Sequence, residues 1–278
     1  MAYASFIPTL WSARLLAHLD ARLVFMKLVN TDYEGEIKEM GNAVKIGQIG
    51  DVTVKDYTGD DIDAPEELPD ASQTLNIDKG KYFNFQVKDI DAAQANVKLM
   101  DEAMKKASYS LSKHIDQDIA SLHADAGIKM LNGTAAYEVG NGTSDQDPYN
   151  LIVDVGVKMD ENNVPDDGRW IVLPPWYIGK LLQNAYFKQS WQNYLQTGEV
   201  AVINGISVLM SNHLKTSTTN TYIMAGTKAA ISYAGQISKI EPYRREANFS
   251  DAIKGLFVYG RKVVQPAALV RVLATSAS

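Results

Sequence analysis

Residues 83–127 decide the fold and read FNFQVKDIDAAQANVKLMDEAMKKASYSLSKHIDQDIASLHADAG. Beyond its first few residues, apolar side chains recur every three, four or seven positions, the spacing of one helix face. These positions are Ile90, Ala93, Val97, Met100, Met104, Leu111, Ile115, Ile119 and Leu122. Asp89 or Asp91 can cap this helix and Gly127 can end it. A helix over 89–126 would span about 50 Å. Its narrow stripe and charged opposite face predict that it lies across a surface.

The preceding stretch, residues 37–88, has the alternation of a β hairpin. The first apolar set is Val44, Ile46, Ile49, Val52 and Val54, with one slip in phase between Gly47 and Gly50 that is typical of a β-bulge. The second set is Leu75, Ile77, Phe83, Phe85 and Val87, all at odd positions. An isolated two-stranded hairpin is only marginally stable in water. We therefore expect this long one to lie against something else, such as another subunit.

The rest of the chain divides at a turn-rich stretch, residues 140–148, which predicts a domain boundary after a short strand in 128–139. Residues 148–229 then alternate helices with strands, as in a small α/β unit. The predicted helices cover 149–159, 175–187 and a short segment around Trp191. The predicted strands cover 170–173, 200–211 (with a turn at Asn204-Gly205) and 221–224. Strand character returns over 230–273.

The N-terminal residues, 1–30, predict an amphipathic helix and not a secretion signal. Pro8-Thr9 can open the helix, and its apolar face is formed by Trp11, Leu15, Leu19 and Leu23. A secretion signal needs a basic start and an unbroken apolar run, but the first positive charge is Arg14 and polar residues interrupt the run. The alternative is that this helix is the first core helix of a globular domain.

Composition excludes several classes of protein. The chain has 278 residues, 46% of them hydrophobic and 22% charged, which is ordinary for a folded protein and excludes a disordered one. No apolar run approaches the roughly 18 residues of a membrane helix. The net charge of −6 argues against a protein that coats DNA by counterion release. Cysteine is absent, which excludes disulfides and thiol catalysis.

No residue pattern indicates catalysis. His114 and His123 are nine residues apart, whereas two metal ligands on one helix need a separation of about four. His114 has Asp118 one turn away, which usually means a solvated pair. The acidic residues around Asp61 lack the glycine and glutamate of an EF-hand loop. A solvated acidic tip, another kind of calcium site and a contact with a basic partner remain open for them.

Opposite charges are segregated along the chain. Residues 51–70 contain eight acids and one base, including Asp60, Asp61, Asp63, Glu66 and Glu67. Residues 230–278 contain seven bases and three acids, including Arg244, Arg245, Arg261 and Lys262. A chain with this arrangement can bind copies of itself head to tail, and such contacts close into rings or shells. The alternative is that both groups are ordinary solvated surfaces.

Several segments of the sequence resemble those of the major capsid proteins of tailed bacteriophages, the Hong Kong 97-type family. They are Ile7-Pro8-Thr9-Leu10-Trp11-Ser12, Asn30-x-Asp32-Tyr33-Glu34-Gly35, Asp51 to Tyr57, and Phe83-Asn84-Phe85 leading into Asp89 to Gln94. The resemblance spans essentially the whole chain and is strongest over 7–125. It implies an α+β, Hong Kong 97-like fold. The implied parts are an N-terminal arm (1–36), an extended loop over a neighbouring subunit (37–88), a peripheral domain (89–147 and 230–278) with the long spine helix, and an axial domain (148–229).

The resemblance also implies the function. We expect a shell protein that assembles through pentamers and hexamers around double-stranded phage DNA, with no enzymatic activity, cofactor, metal or membrane partner. Separate scaffolding and portal proteins and assembly in the host cytoplasm are further expectations. The candidate subunit contacts are Leu15, Leu19, the five acids and four bases named above. We predict no Lys–Asn crosslink from Lys45, Lys55 or Lys79. The alternatives are an encapsulin-like nanocompartment and an enzyme that uses 148–229.

Overall fold

The computed structural model of the protein describes residues 24–33, 43–47, 72–88, 98–184, 201–244 and 250–277. The predicted long helix is present as α1 (Lys98–Ala120) and continues as a 3₁₀ helix over Ser121–Asp125. Residues 89–97, where its start was predicted, lie outside the described residues. Gly127 follows the helical stretch and donates its N–H to the Pro266 carbonyl oxygen at 2.8 Å. A Cβ at residue 127 would overlap that carbonyl, so only glycine fits this close approach.

Strands in the described residues are numbered along the chain. They are β1 (Ala43–Ile46), β2 (Gln73–Asn76), β3 (Lys79–Lys88), β4 (Ile128–Met130), β5 (Tyr137–Val139), β6 (Trp170–Leu173), β7 (Ala201–Ile203), β8 (Ile206–Met210), β9 (Thr216–Ser217), β10 (Asn220–Gly226), β11 (Ile231–Arg244), β12 (Ser250–Val263) and β13 (Leu269–Ser276). Two further helices are α2 (Pro148–Glu161) and α3 (Pro175–Gln183). These elements confirm the predicted mixture of helices and strands and most of its order.

Three long strands form an antiparallel sheet in the order β11-β12-β3. One face of this sheet packs against α1, where Met104 forms a buried cluster with Ile240 and Ile253. Phe83 and Phe85 of β3 pack against the same cluster. The odd-numbered aromatic residues of β3 therefore point toward the helix, as period-2 alternation requires when one face of a strand is covered.

The hairpin prediction for 37–88 is correct at its base and wrong in its second half. β1 pairs antiparallel with β2, with Val44 opposite Leu75. After β2 the chain leaves this pair, and β3 joins β12 instead. The odd-numbered apolar set thus belongs to two strands with different partners. Alternation reports that a strand has a buried face, but it does not identify the neighbouring strand. The residues between 47 and 72 lie outside the described part of the chain.

A second, mixed sheet contains the other described strands. Its main order is β4-β13-β10-β6-β8-β7, with β5 paired to β13 and β9 paired to β10. All four residues of β6 are buried, and since successive side chains point to opposite faces, both faces of the sheet are covered at β6. The predicted turn between β7 and β8 is confirmed, because Asn204 and Gly205 both have positive φ, as a type I′ turn requires.

The last strand links the two predicted domains. β13 hydrogen bonds to β10 on one side and to β4 and β5 on the other. Residues from 128–147, 148–229 and 230–278 thus share one sheet and one hydrophobic core around Trp170, Tyr177 and Leu269. The predicted boundary near 140–148 coincides with the start of α2, where the Asp147 carboxylate accepts hydrogen bonds from the N–H groups of Tyr149 and Asn150. The division into domains itself stays a prediction.

Candidate assembly surface

The base of the hairpin is fixed to the three-stranded sheet by a small apolar cluster. Its members are Val44, Ile46, Leu75, Ile77, Ala234, Val258 and Val264. Leu75 and Ile77 are fully buried in this cluster. Val258 and Leu256 belong to β12, and Leu256 packs at the edge of the cluster. β1 and β2, the base of the hairpin, therefore pack on one face of the sheet, the face opposite α1.

Hydrogen bonds and one glycine complete this base. Gln73 donates its side-chain N–H to the Val264 carbonyl at 3.1 Å, and the Lys262 ammonium donates to the Thr74 carbonyl at 3.0 Å. Gly260 of β12 lies directly beneath the chain at Asn76. A Cβ at residue 260 would overlap the carbonyl oxygen of Asn76. The end of β2 therefore approaches β12 closely only because residue 260 has no side chain.

Replacing Gly260 with Ala is expected to destabilise the subunit by about 1–3 kcal/mol, the usual cost of overpacking, because the clash is with backbone and not with a flexible side chain. Thermal or denaturant unfolding measures this loss. Gly179→Ala is the matched control, since a Cβ there meets nothing within 4 Å. Equal stability of Gly260→Ala and the control would refute the close approach.

Further along β3, the same sheet face is open. Tyr82 is 81% exposed, the highest value among the large apolar side chains of the described residues. It borders a shallow cavity of about 400 Å³, lined by Tyr82, Asn84, Glu241, Lys254, Gly255 and Leu256. Lys254 pairs with Glu241 at 2.8 Å, and Asn84 bonds to the Tyr243 hydroxyl at 3.1 Å. This open face, defined by the six lining residues, presents an exposed aromatic side chain, a residue type that is enriched at interface centres.

A buried carboxylate on α1, that of Asp116, contacts two distant parts of the chain. Asp116 of α1 is fully buried; its Oδ2 accepts the Val24 N–H at 3.3 Å and lies 3.3 Å from Nδ1 of His213. Its Oδ1 has no hydrogen-bond partner in the described structure. Burial raises the pKa of Asp116 above its ordinary value, although the Val24 N–H and His213 oppose the shift. The helix, residues 24–30 and the loop after β8 meet here.

Asp116→Asn tests this assignment through its pH dependence. Because the pKa of Asp116 is higher in the folded state than in the unfolded state, folding favours the protonated carboxyl. The contribution of Asp116 protonation to stability is therefore complete below pH 3.8 and is lost as pH rises through the folded pKa. The neutral Asn keeps the acceptor for Val24 and avoids the buried charge. We expect Asp116→Asn to be at least as stable as the parent at pH 7, with the difference shrinking toward acidic pH. A variant less stable at pH 7 than at pH 4, relative to the parent, would contradict it.

A second polar group lies between α1 and the three-stranded sheet. The Tyr259 hydroxyl donates to Asp118, and Arg261 reaches the same carboxylate at 3.9 Å. Burial raises the pKa of the Tyr259 phenol, and the neighbouring Asp118 carboxylate adds to the shift, so the hydroxyl stays a donor. Asp118 therefore faces the sheet and not His114, contrary to the solvated pair predicted from their spacing.

Three of the predicted contact residues lie in the described part of the chain. Arg244 is exposed at the end of β11, while Arg261 and Lys262 make the contacts within the subunit given above. The others lie outside the described residues: Leu15, Leu19, Asp60, Asp61, Asp63, Glu66, Glu67 and Arg245. Sequence reasoning missed the open face and the Asp116–His213 pair. The sequence alone could have identified Tyr82 as an exposed residue, because it is a large aromatic residue at an even position of a strand whose apolar residues are at odd positions.

Within the described ranges, no three His, Asp or Glu side chains are grouped closely enough to hold a metal ion. None of the described helices is both long and apolar enough to cross a bilayer.

Comparison with known proteins identifies the family. The family model for the phage capsid protein family matches residues 71–272. A solved structure from Mycobacterium phage Che8 is 30% identical, covers 90% of this chain and 91% of its own, and superposes with a TM-score of 0.70. The capsid of cyanophage P-SCSP1u is 18% identical, with coverages of 90% and 86% and a TM-score of 0.65. No curated protein matches the chain.

A third structure broadens the fold comparison. The virus-like particle from Pyrococcus furiosus is 14% identical, covers 95% of this chain and 98% of its own, and has a TM-score of 0.58. At that identity the likeness concerns the fold alone. The predicted α+β, Hong Kong 97-like fold is confirmed by these neighbours together with the observed helices and sheets. The chain belongs to the phage capsid protein family, and it is a capsid shell protein of the virion.

Proposed function

We propose that this protein is the major capsid subunit of a tailed phage, and that it assembles through pentamers and hexamers into an icosahedral shell around double-stranded DNA. The observation that carries the proposal is the 30% identity to the Mycobacterium phage Che8 structure over 90% of the chain. Its role is structural and not enzymatic. Scaffolding and portal proteins act as separate partners, and assembly takes place in the host cytoplasm.

The proposed assembly contact joins the extended loop of one subunit to the open face of the next. The loop starts from the fixed base at β1 and β2, and the open face lies on the same side of the three-stranded sheet. Tyr82 would supply the central apolar contact, because exposed aromatic side chains dominate the energy of many interfaces. Individual contacts of this kind can be weak, since a closed shell repeats each of them many times.

Charge supports the head-to-tail direction of this contact. The acidic residues of 51–70 belong to the loop, whereas β11 of the three-stranded sheet ends at the exposed Arg244. Arg244 is the last residue of β11, and Arg245 is the next residue in the sequence. Opposite charges of this kind guide association and fix its orientation more than they raise affinity. Leu15 and Leu19 would contribute apolar contacts from the N-terminal arm.

An encapsulin-like nanocompartment is the second candidate function. It is favoured by the likeness to the Pyrococcus furiosus particle, which covers 95% of this chain. The sequence identity to this particle is 14%, much lower than the 30% identity to the Mycobacterium phage Che8 structure. We therefore prefer the role of a phage capsid subunit.

Sedimentation of the purified protein tests the proposal. The proposal predicts capsomers of several hundred kilodaltons or complete shells, with a shell diameter suited to a packaged genome. Small uniform shells that retain host enzymes would support the nanocompartment. A monomer or dimer that persists at high concentration with crowding agent or a scaffolding protein would refute both.

A further inference from the structure

The exposed side of α1 is basic, although the protein as a whole is acidic. The charged side chains exposed between residues 103 and 117 are Lys105, Lys106, Lys113 and, when protonated, His114. The overall formal charge is −6, so this stretch is more basic than the chain as a whole. The single acid of that interval, Asp116, is fully buried and does not offset this charge at the surface.

Two of these lysines lie on one line along the helix. Lys106 and Lys113 are seven residues apart, two turns of the helix, and Tyr109 lies between them, 46% exposed. The rise of about 1.5 Å per residue places these two lysines about 10 Å apart along the axis. Phosphates on one strand of a duplex are also spaced by several ångströms, about 3.4 Å per nucleotide. Two flexible ammonium groups on one line can therefore reach separate phosphates of the same strand.

No carboxylate in the described residues pairs with these lysines within 4 Å. Some other cations of the described residues do have such partners, as in Lys158 with Glu161, Lys254 with Glu241 and Arg169 with Asp160. Glu102, one turn before Lys106, is exposed and forms no ion pair with it. The basic side of α1 thus presents charge that the described part of the subunit does not neutralise.

A second cationic group surrounds Tyr222 of β10, which contacts His123 in the 3₁₀ helix that continues α1. Tyr222 stacks on His123 with ring centres 4.0 Å apart, and the Arg271 guanidinium lies over the same tyrosine ring at 5.6 Å. Lys129 is the strand neighbour of Arg271, and Lys215 accepts the Tyr222 N–H through its carbonyl. Buried Nδ1 of His123 and Nε of Arg271 lack hydrogen-bond partners in the described structure. The nearby acid is Asp125, which is exposed.

We infer that the basic side of α1, defined by Lys105, Lys106 and Lys113, contacts the phosphate backbone of the enclosed nucleic acid, and that the cationic group around Tyr222 extends this surface. The inference rests on the proposed function and names the part of the subunit that faces the DNA. Contacts to phosphate are independent of sequence and weaken with salt. Three lysines per subunit hold the DNA loosely, which agrees with the acidic overall charge.

The test compares two variants of equal net charge. Lys106→Gln with Lys113→Gln removes two charges from the basic side of α1, and Lys158→Gln with Lys228→Gln removes two exposed charges elsewhere. Binding of a short labelled DNA duplex to capsomers is measured at several salt concentrations. The helix variant is expected to bind at least tenfold more weakly than the control at low salt. Its plot of log affinity against log salt concentration should flatten by about 0.9 for each lost phosphate contact.

Shell formation by the same samples separates this inference from the proposed function. Normal shells with weakened duplex binding only in the helix variant support the inference. Normal shells with equal binding in both variants overturn it and leave the proposed function intact. A helix variant that fails to form shells while its capsomers still bind DNA also overturns it, because the lysines would then contact carboxylates of a neighbouring subunit. Failure of the parent protein to assemble would refute the proposed function instead.

Discussion

Replacing Tyr82 with Asp is expected to abolish shell formation while the subunit stays folded. The side chain is 81% exposed and makes little contact within the subunit, so its loss costs little folding energy. At the centre of an interface, truncation of such an aromatic residue typically costs 2 kcal/mol or more, about thirtyfold per contact. A charge placed in the same contact adds a desolvation penalty. Sedimentation reports the yield of shells, and circular dichroism reports the fold.

Val157→Asp is the matched control for this variant. Val157 is 45% exposed on α2, so the same kind of change is made to an apolar residue away from the open face. The control should assemble normally. Equal shell yields for the two variants, both folded, would remove the open face from the proposed contact.

Neutralising the acidic loop is expected to have the second-largest effect. Asp60, Asp61, Asp63, Glu66 and Glu67 are changed together to Asn or Gln. If the loop is attracted to basic residues of the next subunit, the variant should assemble more slowly and to a lower yield at low salt. The parent should lose yield as salt rises, and the variant should be much less sensitive, because salt screens exposed charges over about 10 Å at 0.1 M.

A control with the same change in net charge makes this result specific. The control residues, all exposed and outside the loop, are Asp125, Glu138, Asp154, Glu161 and Asp167. Both variants raise the formal charge by five units. Unchanged yield and salt dependence in the loop variant would mean that the acids are merely solvated. Equal effects in the two variants would mean that overall charge, and not the loop, governs assembly.

Sequence reasoning predicted the elements whose patterns are local. The apolar spacing from Met104 to Leu122 and the Asn204-Gly205 turn both depend on neighbours a few residues away, and the structure confirms both. Strand partners depend on distant residues. Nothing local in Phe83 or Phe85 indicates that β3 pairs with β12, about 170 residues later in the chain. The hairpin was therefore extended too far.

The candidate surface was predictable to a smaller extent. The pairing of Asp116 with His213 joins residues 97 positions apart, so it could not be found from helix spacing, which suggested His114 and Asp118 instead. Burial of Asp116 also contradicts the simple expectation that a charged residue on an amphipathic helix is exposed. In contrast, Tyr82 could have been selected from its even position in a strand whose odd residues are apolar.

Image reconstruction of the assembled particle by electron cryomicroscopy would show how the subunits are arranged. We expect an icosahedral shell with this fold in both pentamers and hexamers, and with the extended loop of one subunit over Tyr82 of its neighbour. A particle without icosahedral symmetry, or a stable monomer that yields no particle at all, would contradict this expectation.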